Sequence, residues 1–516
     1  MTDHAWSTTS HRHVVAGLGV AIVASVPWGR ACAQQVNVEP SVRAQVTFTD
    51  NSRYGSGGTV ASDAIFEVAP SVTIHRSGSR VSLDGTLSLD VIHYVRRTQS
   101  DQVVPTGALN LNATLIEPAA GIRSSLSAAQ PHVNPFGAPS DGPTVDVVTA
   151  SRFRFSPYVD YKFTPTVALS AHSENTWSRV TGADPGTVPL YGSLLRDDFV
   201  RFDIKPSPLG LTLEGLREDT RFRGEAESAL TIEALRAVGW VGIAPQQAVG
   251  AIVGTEQTTF LPTKARDPIY GVRLAVAPDA HRYLNGSIER RFFGSGWNLA
   301  FGERTPLYAV NFNLKRGPFT FPAAIGLLPA NGNVADALDA ALLSRYPDPV
   351  ARARAVQDLI TNRGLPTNLA TPFTIYSSNA QLNQTVDASL VFFGRRSTIT
   401  FFALHARIES LLRRDSGQTN ARSFSTDNSQ ESLGVNVNHR LTPVTNVDVV
   451  LDISKIVGLG ALSNTHSRSA VLRTSVNTAL SPRTTASFGM RRQTLKSTAA
   501  TNDSESAAFV GLGHRF

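Results

Sequence analysis

The segment SRFRFSPYVDYKF, residues 151–163, decides the fold class because its side chains alternate between two chemically different faces. One face is apolar and rich in aromatic rings: Phe153, Phe155, Pro157, Val159, Tyr161 and Phe163. The other face is polar: Arg152, Arg154, Ser156, Tyr158, Asp160 and Lys162. A period of two predicts a β-strand, because successive side chains of a strand point to opposite sides of the sheet. An uncharged apolar face opposite a polar one is typical of a membrane-spanning barrel strand, whose outer side contacts lipid.

The same alternation recurs along the chain, in residues 81–91, 200–205, 308–315 and 447–454. Charged residues make up only 17% of the chain, below the usual proportion of soluble domains. No stretch approaches the roughly 20 consecutive apolar residues that a membrane helix requires. We therefore predict an all-β fold, a transmembrane antiparallel β-barrel. A large secreted β-sandwich or solenoid is the alternative fold, since its strands alternate as well.

The first 33 residues have the organisation of an export signal. A short cationic segment at residues 11–13 precedes an uncharged apolar run at residues 14–26, and Ala31-Cys32-Ala33 provides the small residues of a signal-peptidase site. We expect cleavage after Ala33, which removes the only cysteine and with it any disulfide. A lipoprotein cysteine at Cys32 is the alternative. The barrel domain is then residues 34–516, in the outer membrane of a Gram-negative bacterium.

Short turns between strands provide a strand count. Eight contain proline after a strand end: Glu117-Pro118, Thr164-Pro165, Ser207-Pro208, Ala244-Pro245, Ala277-Pro278, Thr305-Pro306, Thr442-Pro443 and Ser481-Pro482. Gly78 and Gly394-Arg395-Arg396 indicate two more turns. With an opening strand at Val36–Thr49 and a closing strand at Glu505–Phe516, the estimate is about 22 strands, within a range of about 18–24. Longer polar stretches predict the extracellular loops: 50–63, 131–148, 179–196, 260–268, 413–428, 457–464 and 495–504.

Residues 333–364 depart from the strand pattern and predict a helical hairpin. Leu338, Ala341 and Leu342 have helical spacing, and a second apolar stripe follows between Asp348 and Gly364, which are typical N-cap and C-terminal residues. By the turn count, this insert belongs to the longest extracellular loop. It either packs on the surface or folds over or into the lumen.

The residues that could carry chemistry are scattered. Outside the export signal, no two histidines have the short spacing of a metal pair, and no G-x-S-x-G nucleophile motif is present, so we predict no catalytic residue, no metal site and no cofactor. Asp50-Asn51 is a weak candidate for calcium and is more typical of a turn. The formal net charge of +7 is dispersed rather than clustered with aromatic residues, which argues against nucleic acid as a partner.

The polar faces of the strands predict the lumen lining instead. The strongest candidates are Arg152, Arg154, Tyr158, Asp160, Lys162, Arg201, Asp203, Lys205, Asp448 and Asp452, with Asp84, Asp90, Glu214, Arg291 and Arg473 as further ones. Opposed charges on neighbouring strands can form pairs that brace the wall, or they can contact a polar solute in a hydrated passage. Because both signs are present, the pattern predicts neither anion nor cation preference.

The chain ends on Phe516, an aromatic carboxyl terminus on an alternating last strand. This pattern resembles the signal that outer-membrane proteins present to the barrel-assembly machinery. We therefore expect that machinery as a partner, together with outer-membrane lipid and lipopolysaccharide.

Several short segments resemble outer-membrane barrels associated with the PEP-CTERM/exosortase system and exopolysaccharide loci. They are Thr47-Phe48-Thr49-Asp50-Asn51, Val68-Ala69-Pro70-Ser71-Val72, the Ser-Pro and Thr-Pro turns, and the helix from Asp348-Pro349 to Gly364-Leu365-Pro366. The resemblance implies a role in exporting or anchoring surface polysaccharide or sorted surface proteins, with exopolysaccharide or its export apparatus as partner. TonB-dependent transporters also have about 22 strands, but the early first strand here leaves no room for their N-terminal plug.

The leading hypothesis is a channel or scaffold in exopolysaccharide secretion. The alternative is a general diffusion porin or solute transporter, and the third is a barrel enzyme that acts on lipid or glycan.

Overall fold

A computed structural model describes residues 36–55, 59–130, 136–137, 148–181, 192–223, 230–260, 263–321, 323, 338, 342, 352, 356, 380–411, 427–499 and 502–516. These residues form one sheet of 22 strands. The strands are β1 (Asn37–Thr49), β2 (Asp63–Ser77), β3 (Val81–Tyr94), β4 (Gln102–Ile116), β5 (Ala120–Ala129), β6 (Thr149–Lys162), β7 (Val167–Thr181), β8 (Ser193–Ile204), β9 (Leu209–Phe222), β10 (Leu230–Ala244), β11 (Gln247–Phe260), β12 (Thr263–Asp279), β13 (Arg282–Arg291), β14 (Gly294–Arg304), β15 (Tyr308–Phe319), β16 (Gln381–Phe393), β17 (Ser397–Ser410), β18 (Asn428–Arg440), β19 (Thr445–Gly458), β20 (His466–Ser481), β21 (Thr484–Ser497) and β22 (Asp503–Arg515).

Each strand pairs antiparallel with its neighbour in the chain, and β1 pairs with β22 to close the barrel. Residues Ser41–Thr49 of β1 lie opposite Ala507–Arg515 of β22. Closure leaves no sheet edge with unpaired backbone groups. The predicted barrel of about 22 strands is confirmed.

The two ends of the barrel differ in their connections. At one end, which we call the turn end, every connection between strands is two to four residues long, and the first and last strands begin and end there. All ten predicted turns lie at the turn end. Ala277-Pro278 does not form the reversal itself. It lies at a register shift in β12, and the chain reverses just after it, at residues 280–281. The opposite end, the loop end, carries the longer connections, so it corresponds to the extracellular side and the turn end to the periplasm.

One predicted extracellular loop is wrong. Residues 260–268 were expected to form a loop because they are polar, but β11 extends to Phe260 and β12 begins at Thr263. Residues 263–268 pair in register with residues 255–260. Ladder hydrogen bonds join backbone groups, so a polar strand continues beyond the apolar band of the membrane. The predicted loop 179–196 is shorter for the same reason, since β7 runs to Thr181 and β8 starts at Ser193.

Four other predicted segments lie largely or wholly outside the described residues, among them the loops at residues 131–148 and 413–428. The export signal, residues 1–33, is another. Of the helical insert at residues 333–364, only Leu338, Leu342, Arg352 and Val356 are described; each has helical backbone, and the three apolar ones are buried. The helical hairpin therefore stays a prediction. None of the described residues belongs to a helix with the length and hydropathy of a membrane span.

Burial in this barrel is inverted relative to a water-soluble protein. Large apolar side chains are exposed on the outer face, including Phe153, Val200, Val272 and Met490. Polar side chains on the inner face are buried, and Asn436 is 0% exposed. An outer surface of this kind is stable in lipid and costly in water. The described residues therefore form a transmembrane β-barrel, and the outward apolar face predicted for residues 151–163 is on its lipid side.

Side-chain hydrogen bonds at the loop end reinforce the closing contact between β1 and β22, which we call the seam. Thr49 Oγ1 donates to Glu505 Oε1 at 2.7 Å, and Asn51 Nδ2 donates to Asp503 Oδ1 at 2.6 Å. Arg491 contacts the same Glu505 carboxylate at 2.9 and 3.2 Å. Thr49 and Asn51 belong to the segment Thr47–Asn51 on which the family resemblance rests, so this segment has a structural role in closing the barrel.

Tyr54 lies in the connection that follows the seam. Its ring packs against Leu495 and is 5% exposed. Burial raises the pKa of the Tyr54 phenol, and the nearby carboxylates of Asp503 and Glu505 raise it further. The phenol therefore stays neutral and adds no negative charge beside Asp503 and Glu505, of which Glu505 is paired with Arg491.

We expect Asn51→Ala to destabilise the barrel by about 1–3 kcal/mol, because the partly buried Asp503 carboxylate loses the hydrogen bond from the Asn51 side-chain amide. Thermal loss of the compact form on unheated electrophoresis gels measures the effect. Asn464→Ala, an exposed asparagine in the connection between β19 and β20, is the matched control. Equal melting temperatures for the two variants would show that the seam does not depend on Asn51.

Candidate functional site: the inner wall of the barrel

The polar face of β6 lines the inner wall. Arg152 is 6% exposed, and its Nε donates to Ser127 Oγ on β5 at 3.2 Å. Arg154 donates to Ser125 Oγ at 3.2 Å and lies 3.5 Å from the Glu174 carboxylate on β7. Both guanidinium groups are thus held against neighbouring strands rather than extended into the centre of the barrel.

Tyr158 forms a small polar group nearer the turn end. The Arg123 guanidinium stacks on its ring, with Cζ 3.8 Å from the ring centroid, and also lies 3.2 Å from Asp160. The Tyr158 hydroxyl donates to Asn112 Oδ1 at 3.3 Å. Lys162, the last residue of β6, is exposed. This group offers an aromatic ring and both charge signs to the interior.

On β8, Arg201 and Asp203 form a close ion pair with contacts of 2.5 and 3.0 Å. Thr212 Oγ1 donates to the same Asp203 carboxylate at 2.6 Å. Lys205 lies one residue beyond the end of β8, in the exposed turn.

The two predicted aspartates of β19 lie on a separate part of the wall. Asp448 is 2% exposed and accepts a hydrogen bond from Asn436 Nδ2 at 2.6 Å. Asp452 is half-buried on the same face. The structure therefore places the ten leading candidates in three sectors, on β6, β8 and β19, and does not bring them into one site.

The further candidates are also dispersed. Asp84 is exposed, and Asp90 accepts a hydrogen bond from Ser88 at 3.1 Å. The Arg473 guanidinium lies 4.9 Å from the ring centroid of Phe509. Phe516 is 65% exposed at the turn end, where its backbone N–H donates to Pro40 O at 3.0 Å.

The densest group of charges lies on the inner face of β8 to β13, and we call it the charged lattice. Its members are Arg201, Asp203, Glu214, Arg236, Glu256, Arg273, Glu289 and Arg291. Four arginines face four carboxylates, so the formal charges of the lattice cancel.

Ion pairs of the lattice connect strands that are not neighbours. Arg273 on β12 forms a two-bond contact with Glu214 on β9, at 2.6 and 3.1 Å, across β10 and β11. Arg236 on β10 reaches Glu289 on β13 at 2.9 Å, across β11 and β12. Such side chains tie four successive strands together on the inside of the wall. Bidentate contacts between guanidinium and carboxylate are among the strongest ion pairs in proteins.

Glycines make these long contacts possible. Gly254 on β11 lies opposite Arg236, and Gly271 on β12 lies opposite Glu289. A Cβ at Gly254 would come within 2.3 Å of the Leu235 carbonyl oxygen, and one at Gly271 within 2.1 Å of the Ile288 carbonyl oxygen. With no side chain at either position, the guanidinium of Arg236 can lie across the intervening strands.

Apolar side chains lie within the same sector of the wall. Val238, Trp240, Ile252 and Ile269 form a buried cluster on β10, β11 and β12. The Trp240 indole N–H donates to Thr212 Oγ1 at 2.9 Å, which links the cluster to the Asp203 end of the lattice. Long arginine side chains cover apolar groups while keeping their charges toward the interior.

The alternation of the sequence identified Arg201, Asp203, Glu214 and Arg291 as inward, but it missed Arg236, Glu256, Arg273 and Glu289. Pairing across two or three strands depends on barrel curvature and register, which alternation does not contain. The signal in the sequence for these pairs is the two inward glycines, Gly254 and Gly271, which carry no side chain at their positions on the inner face.

No group of three or more histidine, cysteine, aspartate or glutamate side chains within the described ranges could hold a metal ion. At the loop end, His93 Nδ1 lies 2.8 Å from Asp101 Oδ2. This hydrogen bond lowers the pKa of the Asp101 carboxyl, so Asp101 is ionised at neutral pH.

Comparison with solved structures shows similar barrels at very low sequence identity. With the FrpB iron transporter from Neisseria meningitidis, the TM-score is 0.50 at 9% identity, over 93% of this chain and 82% of that one. The ferric citrate transporter FecA has a TM-score of 0.47 at 10% identity, with 94% and 79% covered. OprD from Pseudomonas aeruginosa has a TM-score of 0.31 at 10% identity, with 93% of each chain covered. No protein-family model and no curated protein sequence matches the chain.

The similarity to FrpB concerns the fold, and it agrees with the apolar outer face and the closed ladder. The protein is an outer-membrane β-barrel. Its location follows from physical chemistry, because a closed barrel with a lipid-compatible exterior is the form in which antiparallel strands cross the outer membrane.

We expect Glu214→Gln to destabilise the barrel by about 3 kcal/mol, because it removes the carboxylate between Arg273 and Arg201. The value is at the low end for a buried ion pair because the Arg273 side chain keeps 20% of its surface exposed. Denaturant unfolding from detergent micelles measures it. The double variant Glu214→Gln/Arg273→Gln should lose less stability than the sum of the two single variants.

Glu233→Gln is the matched control on the neighbouring strand. Glu233 lies on the outer face, 3.5 Å from Arg217, and both side chains are more than 40% exposed. Its loss should cost less than about 1 kcal/mol. Equal losses for Glu214→Gln and Glu233→Gln would show that the lattice does not brace the wall.

Proposed function

We propose that this outer-membrane barrel is a channel that passes hydrophilic solutes through its interior. The observation that carries the proposal is the inner wall, where charged and amide side chains line the barrel from β6 to β19 and the lipid side is apolar. Apolar solutes gain nothing from such a lining, whereas polar solutes exchange water for hydroxyl, amide and paired charged groups. The role requires no catalytic residue, and we propose none.

The lattice supports a channel with little preference between anions and cations. Its four arginines and four carboxylates form short pairs, so each charge is largely cancelled by its partner. A ring of one sign would attract counter-ions and exclude ions of the same sign. A balanced lattice suits neutral or zwitterionic solutes, among them sugars.

We expect discrete conductance steps when the purified barrel is inserted into planar lipid bilayers. Under a potassium chloride gradient, the reversal potential should lie close to zero. Glu214→Gln should shift it toward anion selectivity, because Arg273 then lacks its carboxylate, while Glu233→Gln on the outer face should not change it. A barrel that inserts but gives no conductance steps would overturn the channel proposal.

We further propose that the channel serves export of exopolysaccharide in a PEP-CTERM/exosortase setting. This finer role rests on the family resemblance of segments such as Thr47–Asn51 and residues 348–366. The group of Tyr158, Arg123 and Asn112 is compatible with it, because sugars bind to aromatic faces flanked by polar hydrogen-bonding side chains.

Deletion of the gene should reduce surface polysaccharide while leaving other outer-membrane proteins at their normal level. Staining or sugar analysis of the cell surface measures the effect. A Tyr158→Ala protein should restore export less well than the wild type. Unchanged polysaccharide in the deletion strain would contradict the export role, and the conductance measurement would still decide whether the barrel is a channel.

A further inference from the structure

Three cations lie side by side on the outer face of β19, β20 and β21. Lys455 is directly opposite Arg468 in the ladder, and Arg468 is directly opposite Lys496. We call these three residues the cation row. Directly opposed side chains on neighbouring strands have Cβ atoms about 5 Å apart, and like charges at that distance repel. All three side chains are exposed.

The cation row points to the membrane side of the barrel. The flanking residues Ser454, Ser467 and Ser469 are buried on the inner face, so the alternate positions face outward. The row is also close to the loop end: Lys455 is three residues before the end of β19, and Lys496 is one residue before the end of β21. This position corresponds to the headgroup layer of the outer leaflet.

Protein groups neutralise only part of the cation row. Lys455 Nζ lies 3.6 Å from Glu431 Oε2 on β18. Within the described part of the chain, neither Arg468 nor Lys496 forms an ion pair with an acidic side chain. Among the described residues, two adjacent positive charges thus have no acidic partner.

Another sector of the same outer face shows the usual arrangement. On β8 to β10, the directly opposed outward residues are Asp198, Arg217 and Glu233, so the charges alternate in sign. The cation row therefore differs from this sector in lacking acidic residues at the directly opposed positions of β19 to β21.

Outward side chains on β19 and β20 are mostly apolar from the cation row toward the membrane centre. Ala470, two residues further along β20, is small and lies between Ile453 and Thr494. Leu472 follows at greater depth and is 46% exposed. On β21, Arg492 lies directly opposite Leu472 and donates to Ser506 Oγ, and the next outward residue, Met490, is 70% exposed. Cations above an exposed apolar surface match a ligand with an anionic head and acyl chains.

We propose that the cation row binds the phosphate groups of the phosphorylated glycolipid of the outer leaflet, lipopolysaccharide, with its acyl chains along Ile453, Leu472 and Met490. The row spans about 10 Å, because neighbouring strands are about 4.8 Å apart. A headgroup with two separated phosphates can contact all three cations, whereas a phospholipid with one phosphodiester contacts one or two. The loop end faces the leaflet in which this glycolipid resides.

The test compares three forms of the full chain purified in mild detergent: the wild type, Lys455→Gln/Arg468→Gln/Lys496→Gln, and Arg395→Gln/Arg396→Gln/Arg483→Gln. The last variant removes the same charge from exposed arginines at the turn end. Each form is titrated with diphosphoryl lipid A, dephosphorylated lipid A and phosphatidylglycerol in mixed micelles, and bound lipid is counted by native mass spectrometry.

We expect one tightly bound diphosphoryl lipid A on the wild type and on the turn-end variant. Loss of the cation row should weaken this binding about 100-fold, because each cation near a membrane surface contributes a factor of about five to the affinity. Dephosphorylated lipid A and phosphatidylglycerol should bind the wild type no better than they bind the cation-row variant.

Equal binding of diphosphoryl lipid A to the wild type and to the cation-row variant would overturn the proposal. The proposal would also be overturned if the wild type bound phosphatidylglycerol as tightly as diphosphoryl lipid A. If the triple variant does not fold, Arg468→Gln alone should weaken binding about fivefold, because Arg468 is the central cation. No change in that single variant would also overturn the proposal.

Discussion

The structure depends on one constraint: every backbone N–H and C=O group inside the membrane must find a partner within the chain. A barrel satisfies this constraint only when its first and last strands meet, because an open sheet would leave two edges unpaired in lipid. Here β1 and β22 make that contact, and Thr49 and Glu505 are separated by 456 positions. All other ladders join strands that are consecutive in the chain. The concentration of hydrogen bonds from Thr49, Asn51 and Arg491 at the seam is consistent with its being the contact of longest range.

Closure also divides the side chains into two populations with opposite requirements. The outer population must be compatible with acyl chains, so Val200, Leu235 and Val272 are exposed without cost. The inner population consists of polar groups that need partners, and the charged lattice provides them for β8 to β13. Its ion pairs span several strands, and the positions opposite Arg236 and Glu289 are glycines without side chains, Gly254 and Gly271. The same side chains thus brace the wall and line the lumen, and for that reason we expect Glu214 to affect both stability and ion selectivity.

Charge on the outer face is arranged by depth. A cation at the centre of the membrane costs about 2–4 kcal/mol, and one near the headgroups costs much less. Accordingly, Arg217, Lys455 and Arg468 lie near the loop end, above the apolar band. Their neighbours differ, since Arg217 has acidic partners on both adjacent strands whereas Arg468 has cations on both. The lipid phosphate that we propose would provide the anionic partner that Arg468 lacks among the described residues.

The sequence by itself determined the fold class, the strand number and the inward or outward direction of most side chains. These properties are local: alternation has a period of two, and a turn such as Thr164-Pro165 is specified by adjacent residues. Local pattern was misleading at residues 260–268, because a polar strand beyond the membrane has the composition of a loop. The family resemblance remains a prediction because no protein-family model matches the chain. The helical insert remains a prediction because most of its residues lie outside the described ranges.

Only the tertiary structure decided which distant side chains meet. The contact between Arg273 and Glu214 depends on register across four strands and on the curvature of the wall, and the cation row depends on the register of three. A shift of one residue in any of these ladders would move a side chain to the opposite face of the sheet. Register is a property of the assembled barrel, and for that reason its ion pairs and its uncompensated charges could not be obtained from the order of residues alone.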